Sequence, residues 1–319
     1  MASSVAGALQ QRIPGSRVSF WTKAYSAPVF AFCPQAEAVF GTNPFWEPSR
    51  LHPRGSLHDF LQTIISIRRH RYDAALVLNA EWRRSFFCRA AAIPRRTGFD
   101  QRKSRFFLTQ PAPRPGGGGR TLHVLEEHQR LVEVFLGCSI PPLVPVLKLS
   151  ESHRAVAEAF FEPLKTSGAV TVGLHPFCGD PVRRWPVQRF IELSRLLLAR
   201  PGYRVLAFGS GEERKELEAW KNVLGDRFIP APERSGLEEN LAILSRCRAF
   251  VGLDSGFSHA AAALGVPTIA LFGPSDPERF RPVGPAPVRV LQRNPIDGIS
   301  PEEVSAEIFR GLSAPSFSA

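Results

Sequence analysis

Cysteine is scarce in this chain and none of it is arranged for chemistry. Cys33, Cys88, Cys138, Cys178 and Cys247 are odd in number and contain no Cys-x-x-Cys pair. That argues against a disulfide framework or a zinc site and fits a reducing cytosol. No apolar run reaches the roughly 18–20 residues of a membrane span. The opening residues lack the charged region and apolar core of a secretory signal. Acidic residues are also in deficit, with 29 Asp and Glu against 40 Lys and Arg, a formal charge of +11. Nucleic acid is one partner that could explain the excess. The cations, however, are mostly Arg spread through helical stretches, as in Arg68-Arg69-His70-Arg71 and Arg83-Arg84. No aromatic–basic RNA motif or DNA-reading helix accompanies them, so no nucleic-acid partner is expected. An anionic glycolipid or an anionic membrane face accounts for the charge as well. So does compositional bias, of which high Arg and Pro and a single Met are signs.

What is present is a long alternation of strand and helix patterns. A chain of 319 residues accommodates one large or two medium domains. In the first part, 17–21, 38–40, 72–78 and 96–99 read as strands. Leu57 to Arg69 reads as an amphipathic helix with Leu57, Phe60, Leu61, Ile64, Ile65 and Ile67 on its apolar stripe. Segments 81–93 and 122–136 are further helices. Residues 43–55 form a Pro-rich loop and 101–120 an irregular stretch that ends in Gly116-Gly117-Gly118-Gly119. Pro141 to Pro145 reads as a linker, which divides the chain into domains 1–145 and 146–319. The second part repeats the pattern, with strands at 169–174, 203–208, 248–253, 268–272 and 288–291 and helices between them. The expected class is α/β.

The most informative stretch runs from Val251 to Pro274. A short apolar strand leads into the turn Asp254-Ser255-Gly256, then a small-residue helix over 258–264, then Gly265, Pro267 and the fully apolar strand Thr268–Phe272. Buried parallel strands have that unbroken apolar character. Open α/β sheets bind ligands at their carboxyl edge. The first N–H groups of a helix have no intrahelical partner and carry partial positive charge. Gly256 lets a bulky anion approach them, and Ser255 and Ser258 offer hydroxyls. Such a turn suits a phosphate or diphosphate, with Asp254 capping the helix or accepting a sugar hydroxyl. A plain helix cap that binds nothing explains the same spacing.

Asp254-Ser-Gly-Phe-Ser-His259, the following Ala-Ala-Ala-Leu-Gly-Val-Pro, and Leu271-Phe-Gly-Pro-Ser-Asp-Pro277 together resemble the signature of the ADP-heptose:lipopolysaccharide heptosyltransferases, glycosyltransferase family 9. A second block of that family, His-Pro-Gly then Lys-Arg-Trp-Pro, is matched by His175-Pro176 and Arg183-Arg184-Trp185-Pro186. The resemblance implies a GT-B fold of two Rossmann-like domains with a cleft between them. It implies an inverting, metal-independent transfer of heptose, or a related sugar, from an ADP-sugar to a lipopolysaccharide-type inner core. The donor residues it implies are Arg183, Glu213, Asp254, Ser255, Gly256 and His259. Arg183 stands where the family has Lys, and keeps the charge in a bidentate form. Phe177 and Cys178 stand where the family often has hydroxyl residues, so those donor contacts are not carried over. Glu213 also has a local explanation, because Ser210-Gly-Glu-Glu213 reads as a capping box. Trp185 reads as a packing residue. Asp73 and Glu81 read as ordinary strand-end and helix-start residues. No cofactor is implied, and no Asp-x-Asp metal motif is present. The partners implied are a nucleotide-sugar donor and an anionic glycolipid acceptor. The place implied is the cytoplasm, with peripheral contact at the inner face of the cytoplasmic membrane.

In the resembling family an apolar strand and a Gly-Asp loop come first, and that Asp is the base that activates the acceptor hydroxyl. Here the sequence opens at Met1-Ala-Ser-Ser-Val, where the next helix is expected. The catalytic base is therefore not assigned. A start codon placed too late is the favoured expectation. A truncated gene, or a protein that binds the donor without catalysing transfer, are the alternatives.

Overall fold

The computed structural model describes residues 1–46, 54–79, 81–114, 121–164, 169–232 and 236–313. The Gly116–Gly119 run and much of the Pro-rich loop lie outside them. The chain falls into two compact units, Met1–Val144 and Pro145–Ala319.

In the first unit α1 (Ser3–Arg12) precedes β1 (Val18–Thr22) and β2 (Ala36–Gly41), which pair in parallel. Then come α2 (Leu57–Arg69), β3 (Ala74–Val77), α3 (Trp82–Ala90), β4 (Arg95–Phe99), a 3-10 turn Arg102–Phe106, β5 (Gln110–Ala112) and α4 (Val124–Leu136). Among the described residues these strands form two separate sheets, β1-β2 and β3-β4-β5, both parallel. The stretch after Gln101, expected to be irregular, thus contributes a third strand. α2 begins and ends where its periodicity says, with Ser56 accepting a bond from the Asp59 N–H as N-cap. Its apolar stripe is narrower than expected. Phe60, Ile64 and Ile67 are buried, whereas Leu57, Leu61 and Ile65 are exposed. Phe60 sits at the centre of an aromatic cluster with Trp21, Phe45, Trp46 and Phe87 at ring separations of 4.5–5.7 Å. Tilted and edge-to-face pairs of this kind add to the burial of the rings.

The second unit carries α5 (Glu151–Phe161), β6 (Val170–His175), α6 (Val187–Leu198), β7 (Tyr203–Ala207), α7 (Glu212–Leu224), β8 (Phe228–Pro230), α8 (Leu237–Leu244), β9 (Ala249–Leu253), α9 (Gly256–Ala263), β10 (Thr268–Phe272), α10 (Pro277–Phe280), β11 (Val288–Gln292) and α11 (Pro301–Ser313). Its strands make one six-stranded parallel sheet in the order β11-β10-β9-β6-β7-β8. The chain starts in the middle at β6, winds outward through β7 and β8, and returns to run the other way from β9. The change of direction lies between β6 and β9. There the two adjacent loops lead apart and leave a crevice at the carboxyl edge. β9 and β10 are buried at every position, as strands covered on both faces must be. α6 buries Phe190, Leu193, Leu197 and Leu198 on the stripe that a 3.6-residue period predicts. Pro186 is the residue just before this helix. α11 packs on α6 within this unit, placing Val304 and Ile308 in the same core. Trp185 is a packing residue: its indole N–H donates to the Ile299 carbonyl at 3.0 Å and its ring meets Phe190 edge-on.

Candidate functional site

Two adjacent strands of the second unit deliver the site. β9 ends in Leu253, and the chain turns through Asp254 and Ser255 into α9. The first turn of α9 is held close to its strand. The Ser258 hydroxyl, fully buried, donates to the Leu253 carbonyl at 2.6 Å. Gly252 is required beneath it, because a Cβ there would lie 2.7 Å from that hydroxyl oxygen and from the Phe250 ring. Four alanines, Ala260 to Ala263, let the rest of the helix lie flat on the sheet. The helix ends in a Schellman motif. Gly265, at φ +81, donates to Ala262, and Val266 donates back to Ala261.

Ser258 is therefore spoken for, and the expectation that it offers a hydroxyl to a ligand is corrected. Ser255 is the N-cap but makes no side-chain cap. Its hydroxyl is covered and has no partner. Asp254 does not cap the helix either. Its side chain turns to the neighbouring loop, where Arg183 Nη1 donates to Oδ2 at 3.0 Å and to the Asp254 carbonyl at 3.4 Å. Asp254 is nearly buried, with 10% of its side chain exposed, and Arg183 retains 32%. An ion pair that covered is worth more than a surface pair, and it leaves Arg183 with guanidinium donors to spare. Its Nε makes no hydrogen bond, and the nearest carboxylate to it, Asp180, stands 3.6 Å away. Asp180 holds the loop by accepting the Val182 N–H as cap of a 3-10 turn, Pro181–Arg183.

Arg183 and Asp254 share the wall of an open cleft of about 460 Å³, together with Asp180 and Val182 on one side and Pro274, Ser275 and Phe280 on the other. The far wall is shaped by Asp276, which caps α10 by accepting the Glu278 N–H at 2.9 Å. Gly256 and His259 lie on the first turn of α9, where the His259 N–H reaches back 3.5 Å to the Ser255 carbonyl.

Glu213 is drawn into local work. Its carboxylate accepts the Ser210 N–H at 3.1 Å and the Ser210 hydroxyl at 3.4 Å. The carboxylate half of the capping box is present at the start of α7, two strands along the carboxyl edge from Asp254. Glu81 is likewise local, accepting from the Arg83 backbone and side chain at the head of α3.

One feature was not visible in the motifs. The His175 ring stacks on Phe257 at 4.3 Å with planes 6° apart, and Phe177 and Phe208 close the cluster at 6.1 and 5.5 Å. Burial lowers the His175 pKa to about 4, so the ring is neutral near pH 7, and its Nδ1 is covered without a partner. An apolar pad thus backs the N-terminus of α9. The signal was there, since His175 ends β6 and Phe257 opens α9, but pairing them requires knowing that β6 and β9 are neighbours. Among the described residues no group of His, Cys, Asp and Glu is placed to hold a metal ion, and no helix is long and apolar enough to cross a membrane.

Comparison with known proteins meets this geometry. The profile of glycosyltransferase family 9 (heptosyltransferase) matches residues 61–299. The lipopolysaccharide heptosyltransferase 2 of Salmonella typhimurium is 27% identical over 302 residues, which cover 89% of this chain and 81% of that protein. Among solved structures, the ADP-heptose lipopolysaccharide heptosyltransferase II of Escherichia coli superposes with a TM-score of 0.79 at 23% identity, covering 98% of this chain and 94% of that one. An E. coli heptosyltransferase solved with ADP gives 0.77 at 19% identity, covering 97% and 94%. The fold is the GT-B fold of those enzymes.

Proposed function

This chain belongs to glycosyltransferase family 9 and is a glycosyltransferase, and we propose that it takes heptose, or a closely related sugar, from an ADP-sugar and passes it to a lipopolysaccharide-type inner core. The observation that carries the donor half of this reading is the meeting of Arg183 and Asp254 where the sheet changes direction, beside the N-terminus of α9. The diphosphate would rest on the first N–H groups of α9, with Gly256 allowing close approach and the Ser255 hydroxyl, idle in the protein alone, finding its acceptor there. Arg183 then neutralises the charge that gathers on the leaving diphosphate as the glycosidic bond breaks, and Asp254 fixes the guanidinium in place for that task. His259, half-buried on the same turn, completes the donor pocket with Glu213 at its far edge. Transfer proceeds by inversion without a metal ion, the guanidinium and helix dipole supplying the positive charge. The acceptor, a phosphorylated glycolipid, matches the excess of 40 basic over 29 acidic residues and brings the enzyme to the inner face of the cytoplasmic membrane as a peripheral protein.

Support for the sugar and the acceptor comes from what the similar proteins are named for, heptose transfer to lipopolysaccharide. The test is calorimetric titration with ADP and ADP-heptose, with UDP- and GDP-sugars as controls, followed by turnover on an inner-core acceptor. Selective ADP-heptose binding with transfer is the expected result. Equal or absent binding of all nucleotides by folded protein would sink the donor assignment, and binding without turnover would leave a nucleotide-sugar-binding protein.

A further inference from the structure

A sugar nucleotide is a linear molecule, with its diphosphate between nucleoside and sugar. The carboxyl edge of the second unit's sheet is linear too, and its strands run β10, β9, β6, β7 in space. On the donor reading above, on which this inference rests, the diphosphate lies at α9 and Arg183, which follow β9 and β6. The nucleoside end lies at Glu213, which follows β7. The sugar then falls on the other side of the diphosphate, beside the segment that leaves β10, residues 273–280.

That segment holds one aromatic ring in a fixed place. Pro277 opens α10, Asp276 caps it by accepting the Glu278 N–H at 2.9 Å, and the Phe280 N–H donates to the Asp276 carbonyl at 3.1 Å. The Gln292 side-chain amide ties the loop to β11 by donating to the Ser275 carbonyl at 3.3 Å. Phe280 is 38% exposed, and the Arg279 guanidinium lies over its ring at 5.3 Å. A lone exposed Phe is ordinary on a protein surface. This one lines the cleft of about 460 Å³ that also holds the nearly buried Arg183–Asp254 pair.

The remaining lining of the cleft has the character of a carbohydrate site. Val182, 68% exposed, and Pro274 add apolar surface, while Asp180 and Ser275 bring a carboxylate and a hydroxyl. A sugar ring has the same division, with C–H groups on its faces and hydroxyls around its rim. The negative face of an aromatic ring attracts polarised C–H groups, and a carboxylate or hydroxyl oxygen accepts from the rim. A phosphate gains nothing from the ring and is repelled by the Asp180 carboxylate.

We propose that Phe280 is the platform on which the transferred sugar lies, and that it separates an ADP-sugar from ADP. Arg183 and α9 hold the diphosphate, which both molecules share. Phe280 touches only the part in which they differ, with Ser275 and Asp180 at the sugar's rim.

Calorimetric titration of ADP and ADP-heptose against wild type, Phe280→Leu and Phe280→Tyr tests this. Wild type should bind ADP-heptose more tightly than ADP. Phe280→Leu keeps apolar bulk and loses the ring face, so ADP-heptose affinity should fall about fivefold while ADP affinity stays unchanged. Phe280→Tyr keeps the ring and should bind both as wild type does. In turnover the leucine variant should show a raised KM at unchanged kcat, the mark of a contact made equally in ground and transition states. ADP binding in the same sample reports that the site is folded. An equal fall for ADP and ADP-heptose would overturn the proposal, because the ring would then serve the nucleotide or the fold. So would unchanged ADP-heptose affinity in Phe280→Leu, or leucine and tyrosine variants that behave alike. Wild type that binds ADP and ADP-heptose equally removes the sugar platform alone, whereas wild type that binds neither removes the donor reading with it.

Discussion

The two units use the same alternation of strand and helix to different ends. In the second, six parallel strands share one sheet, two of them buried at every position, and the core between sheet and helices is largely aliphatic. In the first, the described strands are divided between two small sheets. No residue of β1 or β2 is fully buried, and the largest aromatic cluster gathers on Phe60. A doubly covered sheet offers a stiff edge on which loops from adjacent strands can be set against each other. Arg183 and Asp254 exploit that stiffness. Where the strands are only half covered, large rings supply the buried area that the sheets do not, and some of them spill onto the surface.

The largest effect expected from this difference is on stability. Phe60→Ala removes a fully buried ring from the middle of the aromatic cluster, and large-to-small core changes of this kind cost about 3–5 kcal/mol. Hydrogen exchange should show the loss of protection concentrated in α2 and β3, while amides of β9 and β10 keep theirs. Uniform loss across both units would show that they unfold as one block and dissolve the comparison.

The next effect is on binding. Arg183→Ala removes the guanidinium and leaves Asp254 nearly buried without its ion-pair partner. A drop of about tenfold to a hundredfold in ADP-heptose affinity is expected, the usual cost of losing a hydrogen bond to a charged group. Arg183→Lys, the residue that the family motif carries at this place, should recover part of it. Unchanged affinity in the alanine variant, measured by calorimetry, would remove the second unit's claim to the donor.

A smaller effect divides the units by pH. Each holds one histidine that burial pushes down to about 4, His128 in the first and His175 in the second. The unfolded chain has ordinary histidines near 6.5. Between about 6.5 and 4 it therefore binds protons that the folded chain refuses, and stability falls as pH falls through that window. Above it these two residues contribute no slope. Each should add up to about 1.4 kcal/mol per pH unit. Thermal unfolding from pH 7 to 4 on His128→Asn and His175→Asn should show each variant with a shallower decline than the parent. Identical slopes in all three proteins would mean that neither ring is held neutral.

Much of this architecture could be read in the sequence, and the exceptions have physical causes. α2 and β10 fall where their periodicity and apolar run place them, because burial of a stripe or of both faces is written directly into residue type. β5 and β8 escaped. Both are three residues long, contain a proline and lie at a sheet edge, where proline is tolerated and the apolar signal is weakest. At the site, Arg183 and Asp254 could each be named from its motif, but their contact depends on β6 lying beside β9, which is a property of strand order. The same holds for the His175–Phe257 stack. Ser258 misled for the opposite reason. A serine on the first turn of a helix reads as a free hydroxyl, and only the three-dimensional approach of helix to strand shows it turned inward. Leu57, Leu61 and Ile65 misled similarly, since spacing alone does not say how wide a face the neighbouring sheet covers.

The smallest expected effect is at Glu213, and it separates two roles that share one carboxylate. As a cap it needs only an acceptor for the Ser210 N–H, and glutamine supplies one as well as glutamate does. As a donor contact it meets the nucleoside at the edge of the pocket, where the loss of charge and of one acceptor changes affinity. Glu213→Gln should therefore leave the thermal midpoint within about a degree, because the bond to the Ser210 N–H is retained. Glu213→Ala should lower it by an amount matching a lost cap, about 1 kcal/mol. Calorimetric titration of the glutamine variant with ADP-heptose then decides the second role. A fall in affinity of a few-fold at unchanged stability assigns the residue to the donor. Unchanged affinity leaves it a helix cap, and the donor pocket ends at the crevice between β6 and β9.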